Sequence, residues 1–327
     1  FIGDYVKIEE LEKYRDEEGY IDIDKFEHEN EVEKFRETGG SHNREKFWIE
    51  LDDGKIMIRT SNLDKEGVEY TNYAELIFEE LAKQVDFPCA HYDLIKYKGE
   101  KGVYTKNVLE KENETLIHTK SLLNGSNTTD SYDLTSSIDD IFESYNILSR
   151  YDDVPKSQVS SLCKDTAKMA IFDIFTMSTD RHPENFGVIF YSDGQNSEAR
   201  LSPMYDNECS LMLDQPAEAI DDMVENPTLM KKFVELQNQF IVVPEQQRDE
   251  SYLDWEDTLF YLCDDSEVCM EFAEKCSKKL DIDGAIRNVE GRIGAKLPDK
   301  LKEFVIPCFN YRKQIIEKDL CLDEVVR

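Results

Sequence analysis

MSTDRHPENFGVIFYSDGQNSEARLSPMYDNECSL, residues 177–211, is the stretch on which the fold turns. An apolar helical pattern ends near Met177 and delivers Asp180 into a short loop, with Asn185 five positions later. Phe186 to Tyr191 reads as a strand, Ser192-Asp193-Gly194 as a turn, and Ala199 to Met204 as the return strand, which leads into Asp206. Strands rise about 3.3 Å per residue, so a hairpin of this length returns the chain to the level at which it left. Asp180, Asn185 and Asp206 are therefore expected to converge. A pair of carboxylates with an amide suits phosphoryl transfer, in which one carboxylate orients and deprotonates an attacking hydroxyl while oxygen ligands hold Mg²⁺ against a triphosphate.

Upstream of this hairpin the chain reads as sheet plus one helix. KFWIEL (46–51) and KIMIRT (55–60) alternate apolar and polar residues around Asp52-Asp53-Gly54, a strong turn signal. GGSHN (39–43) leads into that ribbon. NYAELIFEELAKQV (72–85) places Ala74, Ile77, Phe78, Leu81 and Val85 at helical spacing, which predicts one buried stripe with the charged residues on the other face. HYDLIKY (91–97) and GVYTKNVL (102–109) are two further strand-like runs. Residues 1–37 read as acidic helix or loop lying on a surface, and the polar tract at 124–137 as a mobile loop.

Downstream the period changes to helical in SIDDIFESYNIL, QVSSLCKDTAKMAIFDIFTM, SYLDWEDTLFYLC and EVCMEFAEKC, and again from Leu297 to Leu322. The expectation is an α+β, bilobal chain: a small β-rich N-lobe over residues 1–105 and a larger helical C-lobe over 106–327, consistent with 327 residues being more than one core usually supports.

Composition narrows the function classes. Formal net charge is −32, from 71 acids against 39 bases, which disfavours direct nucleic-acid binding because such a body repels phosphate backbones. No run approaches the ~18 apolar residues of a membrane span; the most apolar helical stretch, 168–177, carries Asp173. The opening FIGDYVKIEE has none of the features of a secretory signal. Eight cysteines form no CxxC pair and no regular framework. Reduced thiols in a cytoplasmic protein are the expectation.

Asp-x₄-Asn followed by a later Asp is the spacing of the protein-kinase catalytic loop and metal-binding residue, although Arg181 and His182 follow the Asp here and Tyr205-Asp206-Asn207 stands where kinases carry Asp-Phe-Gly. With STDRHPENFGVIF and LSPMYDNECS as the carrying motifs, and KFWIELDDGKIMIR, YAELIFEELAKQVDFPCAHYDL and GVYTKNVL in support, the chain resembles the HipA-like serine/threonine kinases over roughly residues 38–215. A weaker likeness is to the phosphatidylinositol kinases that share Asp-Arg-His-x-x-Asn.

The resemblance implies ATP and Mg²⁺ as cofactors, Asp180 as catalytic base, Asn185 and Asp206 as metal ligands, and His182 as a support of the catalytic loop or a phosphate contact. A purely structural pin is as good a reading of His182. The nucleotide-binding lysine of such kinases falls at Arg59, with Lys55 on the same strand face as a substitute. Glu75 is either the acid that pairs with that cation or a solvated surface glutamate. Gly40, Ser41 and His42 belong either to a loop covering phosphates, with Ser41 an autophosphorylation site, or to a plain turn. Thr105 and Asn107 fall at the hinge where adenine would meet backbone.

The function implied is phosphoryl transfer to Ser or Thr hydroxyls of a protein. The alternatives are a lipid or small-molecule kinase, against which the acidic surface argues, and a nucleotide-binding pseudokinase or interaction module, for which Arg59 argues. The resemblance also suggests an antitoxin-like regulatory partner.

Overall fold

The computed structural model describes residues 6–36, 45–61, 70–125, 136–151, 153–237, 241–242, 255–264 and 266–321. The N-terminal half is built on β1 (Ile21–Asp22), β2 (Glu33–Arg36), β3 (Lys46–Leu51), β4 (Gly54–Thr60), β5 (Tyr92–Tyr97) and β6 (Glu100–Lys106), in a six-stranded sheet of order β1-β5-β6-β4-β3-β2. Asp52-Asp53 closes the β3–β4 hairpin, with Leu51 paired to Gly54 and Lys46 to Arg59. Lys98-Gly99 closes β5–β6, both at positive φ (51° and 79°), the backbone that a two-residue hairpin turn requires. Gly102 lies opposite Thr60, where a Cβ would fall 2.2 Å from the Arg59 carbonyl oxygen. That close approach fixes the strand that carries Arg59.

Residues 6–36 do not lie on a surface as acidic helix or loop. β1 and β2 form the two edges of the sheet, a 3₁₀ turn (Ile8–Tyr14) and α1 (Ile23–Glu29) cover one of its faces, and Ile8, Leu11, Ile21, Ile23 and Phe26 form a separate small core with Phe47, Ile49, Ile56 and Ile58. The charged residues dominate the composition of this segment, but its apolar residues suffice to cover one face of the sheet.

The helix α2 (Thr71–Gln84) is buried nearly all round, against the expectation of a charged outer face. Glu75, Glu79 and Glu80 are all buried. The cause is α10 (Ile282–Ile293), which packs on that face and sends Arg292 to Glu79 (3.1 Å) and Glu80 (3.0 Å). His91 Nδ1–H donates to Glu79 at 2.8 Å, and Lys83 reaches both Glu79 and Glu80 at 2.8 Å.

Burial raises the Glu79 carboxyl, but the bonds from His91 and Lys83 and the charge of Arg292 outweigh it and bring it from the ordinary 4.5 down to about 2. Its contribution to stability is thus complete above pH 4.5 and lost as pH falls toward 2, at up to about 1.4 kcal/mol per pH unit. Glu79→Gln is expected to lower the melting temperature near neutrality, and the gap to wild type to narrow as pH falls through that window. Melting curves of both proteins at a series of pH values check it.

The remainder is mostly helical: α3 (Thr119–Gly125), α4 (Ile138–Tyr151), α5 (Lys156–Phe175), α6 (Ala217–Glu225), α7 (Pro227–Glu235), α8 (Trp255–Asp264), α9 (Glu267–Lys279), α10 and α11 (Asp299–Asp319). It also holds β7 (Glu114–His118), the short pair β8 (Ser136–Ser137) and β11 (Ile241–Val242), and the hairpin β9 (Gly187–Ser192) and β10 (Ser197–Leu201). The order β10-β9-β7 adds a third strand to the expected hairpin, and the return strand ends at Leu201, not Met204. Gly187 allows this, since a Cβ there would sit 2.4 Å from the Ile117 carbonyl oxygen. The large core runs from α2 through α5 to α11. All eight cysteines are free thiols, and among the described residues no helix is long and apolar enough to cross a membrane. Most of the 124–137 tract lies outside the described residues.

Candidate active site

The loop that follows α5 is set by its own backbone. Met177 takes a left-handed φ of 52° and turns the chain off the helix, and the Thr176 hydroxyl donates to the Phe172 carbonyl at 2.9 Å. Asn185 N–H donates to the His182 carbonyl at 2.8 Å, closing the loop. The Asn185 amide then donates back to the Asp180 carbonyl (2.8 Å) and carboxylate (3.3 Å). His182 accepts the Glu184 N–H on Nδ1 at 3.2 Å, which leaves Nε2 3.8 Å from the Asp180 carboxylate. His182 thus pins the loop.

Asp206 sits at φ 57°, in the left-handed region that non-glycine residues rarely adopt. Two buried side chains hold this turn: the Tyr92 hydroxyl accepts the Asp206 N–H at 2.8 Å, and the Glu75 carboxylate accepts the Asn207 N–H at 2.9 Å. Arg59 completes the lock. One terminal nitrogen of its guanidinium donates to Asp206 and the other to Glu75, with Glu208 3.6 Å away.

Arg59 is 7% exposed and Glu75 not at all. Glu75 is therefore not a solvated glutamate but the buried partner of the strand cation. Burial pushes the Glu75 carboxyl up to about 7, against the pull of Arg59 and with repulsion from Asp206 and Glu208 added. Burial also works against the charge on Arg59, but the three carboxylates hold it well above its ordinary range. Lys55 cannot substitute for Arg59, because it pairs with Glu50 (3.4 Å) one end of the strand away.

A cleft of about 430 Å³ is lined by the sheet, by β7 and by the segments just before β9 and after β10. Asn185, Asp206 and Arg59 line one part of it; Trp48, Met57, Val108 and Leu109 supply apolar walls; Thr105 and Asn107 border it where β6 ends. Asn107 is fixed by its N–H to the Lys55 carbonyl (2.9 Å) and by its side chain, which accepts the Leu109 N–H (3.2 Å). Gly40, Ser41 and His42 lie outside the described residues.

Residues 38–257 match the family model described as the HipA-like C-terminal domain. The chain belongs to this HipA-like family. No curated protein sequence matches it. Among solved structures, the HipA-like chain is similar to the Helicobacter pylori proinflammatory kinase CtkA, with a TM-score of 0.67 at 14% identity over 86% of this chain and 94% of that one. It is also similar to HipA of Shewanella oneidensis MR-1, solved as a toxin–antitoxin system with HipB and operator DNA, with a TM-score of 0.54 at 13% identity over 89% of this chain and 67% of that one. The fold is that of the kinases, with a sheet-rich N-terminal region and a mostly helical remainder.

The HipA-like site offers hard oxygen donors. Asn185 turns its amide nitrogen toward Asp180, so its oxygen is available to the cleft that Asp206 also lines. Among the described residues no group of three or more His, Cys, Asp or Glu side chains is arranged to hold a metal by itself. This donor set fits Mg²⁺, which binds through one or two carboxylates together with substrate phosphates.

Several residues of this site escaped the motif reading. Arg181 is buried behind the loop, its guanidinium donating to both Asp173 oxygens (3.0 and 3.1 Å), to the carbonyls of Asn185 (3.1 Å) and Tyr205 (2.7 Å), and to the Asn207 side chain (2.6 Å). Asp173 marked itself as an acid inside an apolar helical run. Tyr205, whose hydroxyl meets His118 at 2.9 Å, lacked even that signal.

Proposed function

We propose that this chain is a kinase that transfers the γ-phosphoryl group of ATP, with Mg²⁺, to Ser or Thr hydroxyls of a protein, including its own. The observation that carries this reading is the placement of Asn185 and Asp206 at one part of a cleft that also has an apolar wall of Trp48, Met57, Val108 and Leu109, with Asp180 tied to Asn185 beside it.

Asp180, its side chain 38% exposed, would orient the acceptor hydroxyl and take its proton while Asn185 and His182 keep the carboxylate in place. Asp206 and Asn185 would hold Mg²⁺, which when bound neutralises charge on the phosphates. Thr105 and Asn107 would border the adenine, and Arg59, braced by Glu75, would keep Asp206 in position. Ser41, beside Gly40 and His42 in the sequence, is the autophosphorylation site we favour. The nucleotide would lie between an N-lobe of residues 1–105 and a C-lobe of 106–327. We further infer a cytoplasmic protein, in keeping with eight free thiols, and an antitoxin-like regulatory partner, as the Shewanella HipA has in HipB.

The test is incubation of the full chain with Mg-ATP, alone and with candidate protein substrates, followed by mass spectrometry. Phosphate on Ser or Thr is the expected result. A competing reading, a nucleotide-binding scaffold, is favoured by the Arg59 contact, since the guanidinium rests on the carboxylate that would hold the metal. Thermal stabilisation by Mg-ATP with no phosphate transfer would select the scaffold.

A further inference from the structure

Strand register puts two cations side by side at the phosphate end of the cleft. Arg59 of β4 is paired with Lys46 of β3, and the two side chains line the same cleft. Directly paired residues on one sheet face have Cβ atoms about 4.5–5.5 Å apart. Two positions along, Trp48 of β3 is paired with Met57 of β4, and Thr105 of β6 lies beside Met57. One sheet face thus runs from an apolar pair next to β6 to a cationic pair next to Asp206.

Arg59 is already committed inside the protein. Arg59 is buried, with one terminal nitrogen on Asp206, the other on Glu75, and Glu208 close by. Moving it onto a phosphate would strip its charge from buried Glu75 and Asp206. Lys46 is half-buried on the first residue of β3 and carries its charge on a flexible four-carbon stem, the form in which lysine serves as a point charge for phosphate.

We propose that Lys46, not Arg59, is the cation that contacts the nucleotide phosphates, while Arg59 is an internal brace that holds Glu75 and Asp206 in register. The proposal rests on the kinase reading above and refines it. Arginine at the usual lysine position is then no sign of a dead site, because the phosphate-binding charge has moved to the neighbouring strand.

The experiment measures binding of Mg-ATP and of adenosine to wild type, Lys46→Met and Lys46→Arg, with ligand-free melting temperatures as the folding control. A charge-assisted hydrogen bond is worth about 1.5–3 kcal/mol, so Lys46→Met is expected to weaken Mg-ATP about 10- to 100-fold. Adenosine affinity and the ligand-free melting temperature stay unchanged, and Lys46→Arg recovers most of the loss. Wild-type affinity for Mg-ATP in Lys46→Met, or an equal loss for adenosine, would overturn the role of Lys46 and leave the kinase reading standing. A wild-type protein that binds no Mg-ATP at all would overturn both.

Discussion

Asp180→Asn is expected to leave the chain folded, to change Mg-ATP affinity by no more than a few fold, and to cut phosphate transfer by about 10²–10⁴-fold, the usual contribution of a positioned general base. The substitution is nearly isosteric. It keeps the backbone carbonyl to which Asn185 donates at 2.8 Å, so the loop retains its principal tie. What it removes is the capacity to take a proton and the negative charge that, on the proposed kinase reading, would draw the acceptor hydroxyl into line. Initial rates of phosphate incorporation at saturating Mg-ATP, with melting temperatures alongside, check it. Wild-type rates in the variant would remove Asp180 from the chemistry.

The hairpin between Asn185 and Asp206, which line one cleft, was legible because its signals are local. A turn at Ser192-Asp193-Gly194, flanked by apolar runs, needs no partner elsewhere in the chain to be read, and β9 and β10 form where those runs lie. The β3–β4 and β5–β6 hairpins were equally plain. A two-residue turn at Asp52-Asp53 also dictates the register, and Lys46 opposite Arg59 follows from it by counting outward from Leu51 and Gly54. The kinase motif points to the strand position of Arg59, and only the register points to the residue across from it.

The features that stayed hidden depend on contacts far apart in sequence. Glu75, Glu79 and Glu80 look like the outer face of an amphipathic helix until Arg59 and Arg292 arrive, the latter from 212 residues beyond Glu80. Periodicity reports the residues that avoid water. It cannot report a buried acid whose counter-ion lies in another element. The N-terminal segment fails for the converse reason: apolar residues scattered through an acidic run show no clear period, yet Ile8, Leu11, Ile21, Ile23 and Phe26 pack together against the sheet.

Arg181→Met is expected to cost about 3–5 kcal/mol of stability, the range for removing one partner of a buried ion pair, out of the ~5–15 kcal/mol that folded proteins have. Arg181 is 2% exposed, and its guanidinium joins the end of α5 through Asp173, the Asp180–Asn185 loop through the Asn185 carbonyl, and the turn at Asp206 through Tyr205 and Asn207. It also lies 5.8 Å from the Phe78 ring of α2. Methionine fills part of the volume and replaces none of these bonds. Burial already raises the Asp173 carboxyl against the pull of Arg181, so without the guanidinium it rises further and the native state takes up a proton that the unfolded chain has released. The loss should therefore be larger at pH 8 than at pH 5. Asp173→Asn combined with Arg181→Met removes the stranded charge and should recover part of the deficit at pH 8. Melting curves of the two variants at both pH values decide the matter: if Arg181→Met alone melts within a degree or two of wild type at pH 8, the ion pair is not what binds the loop to the helix.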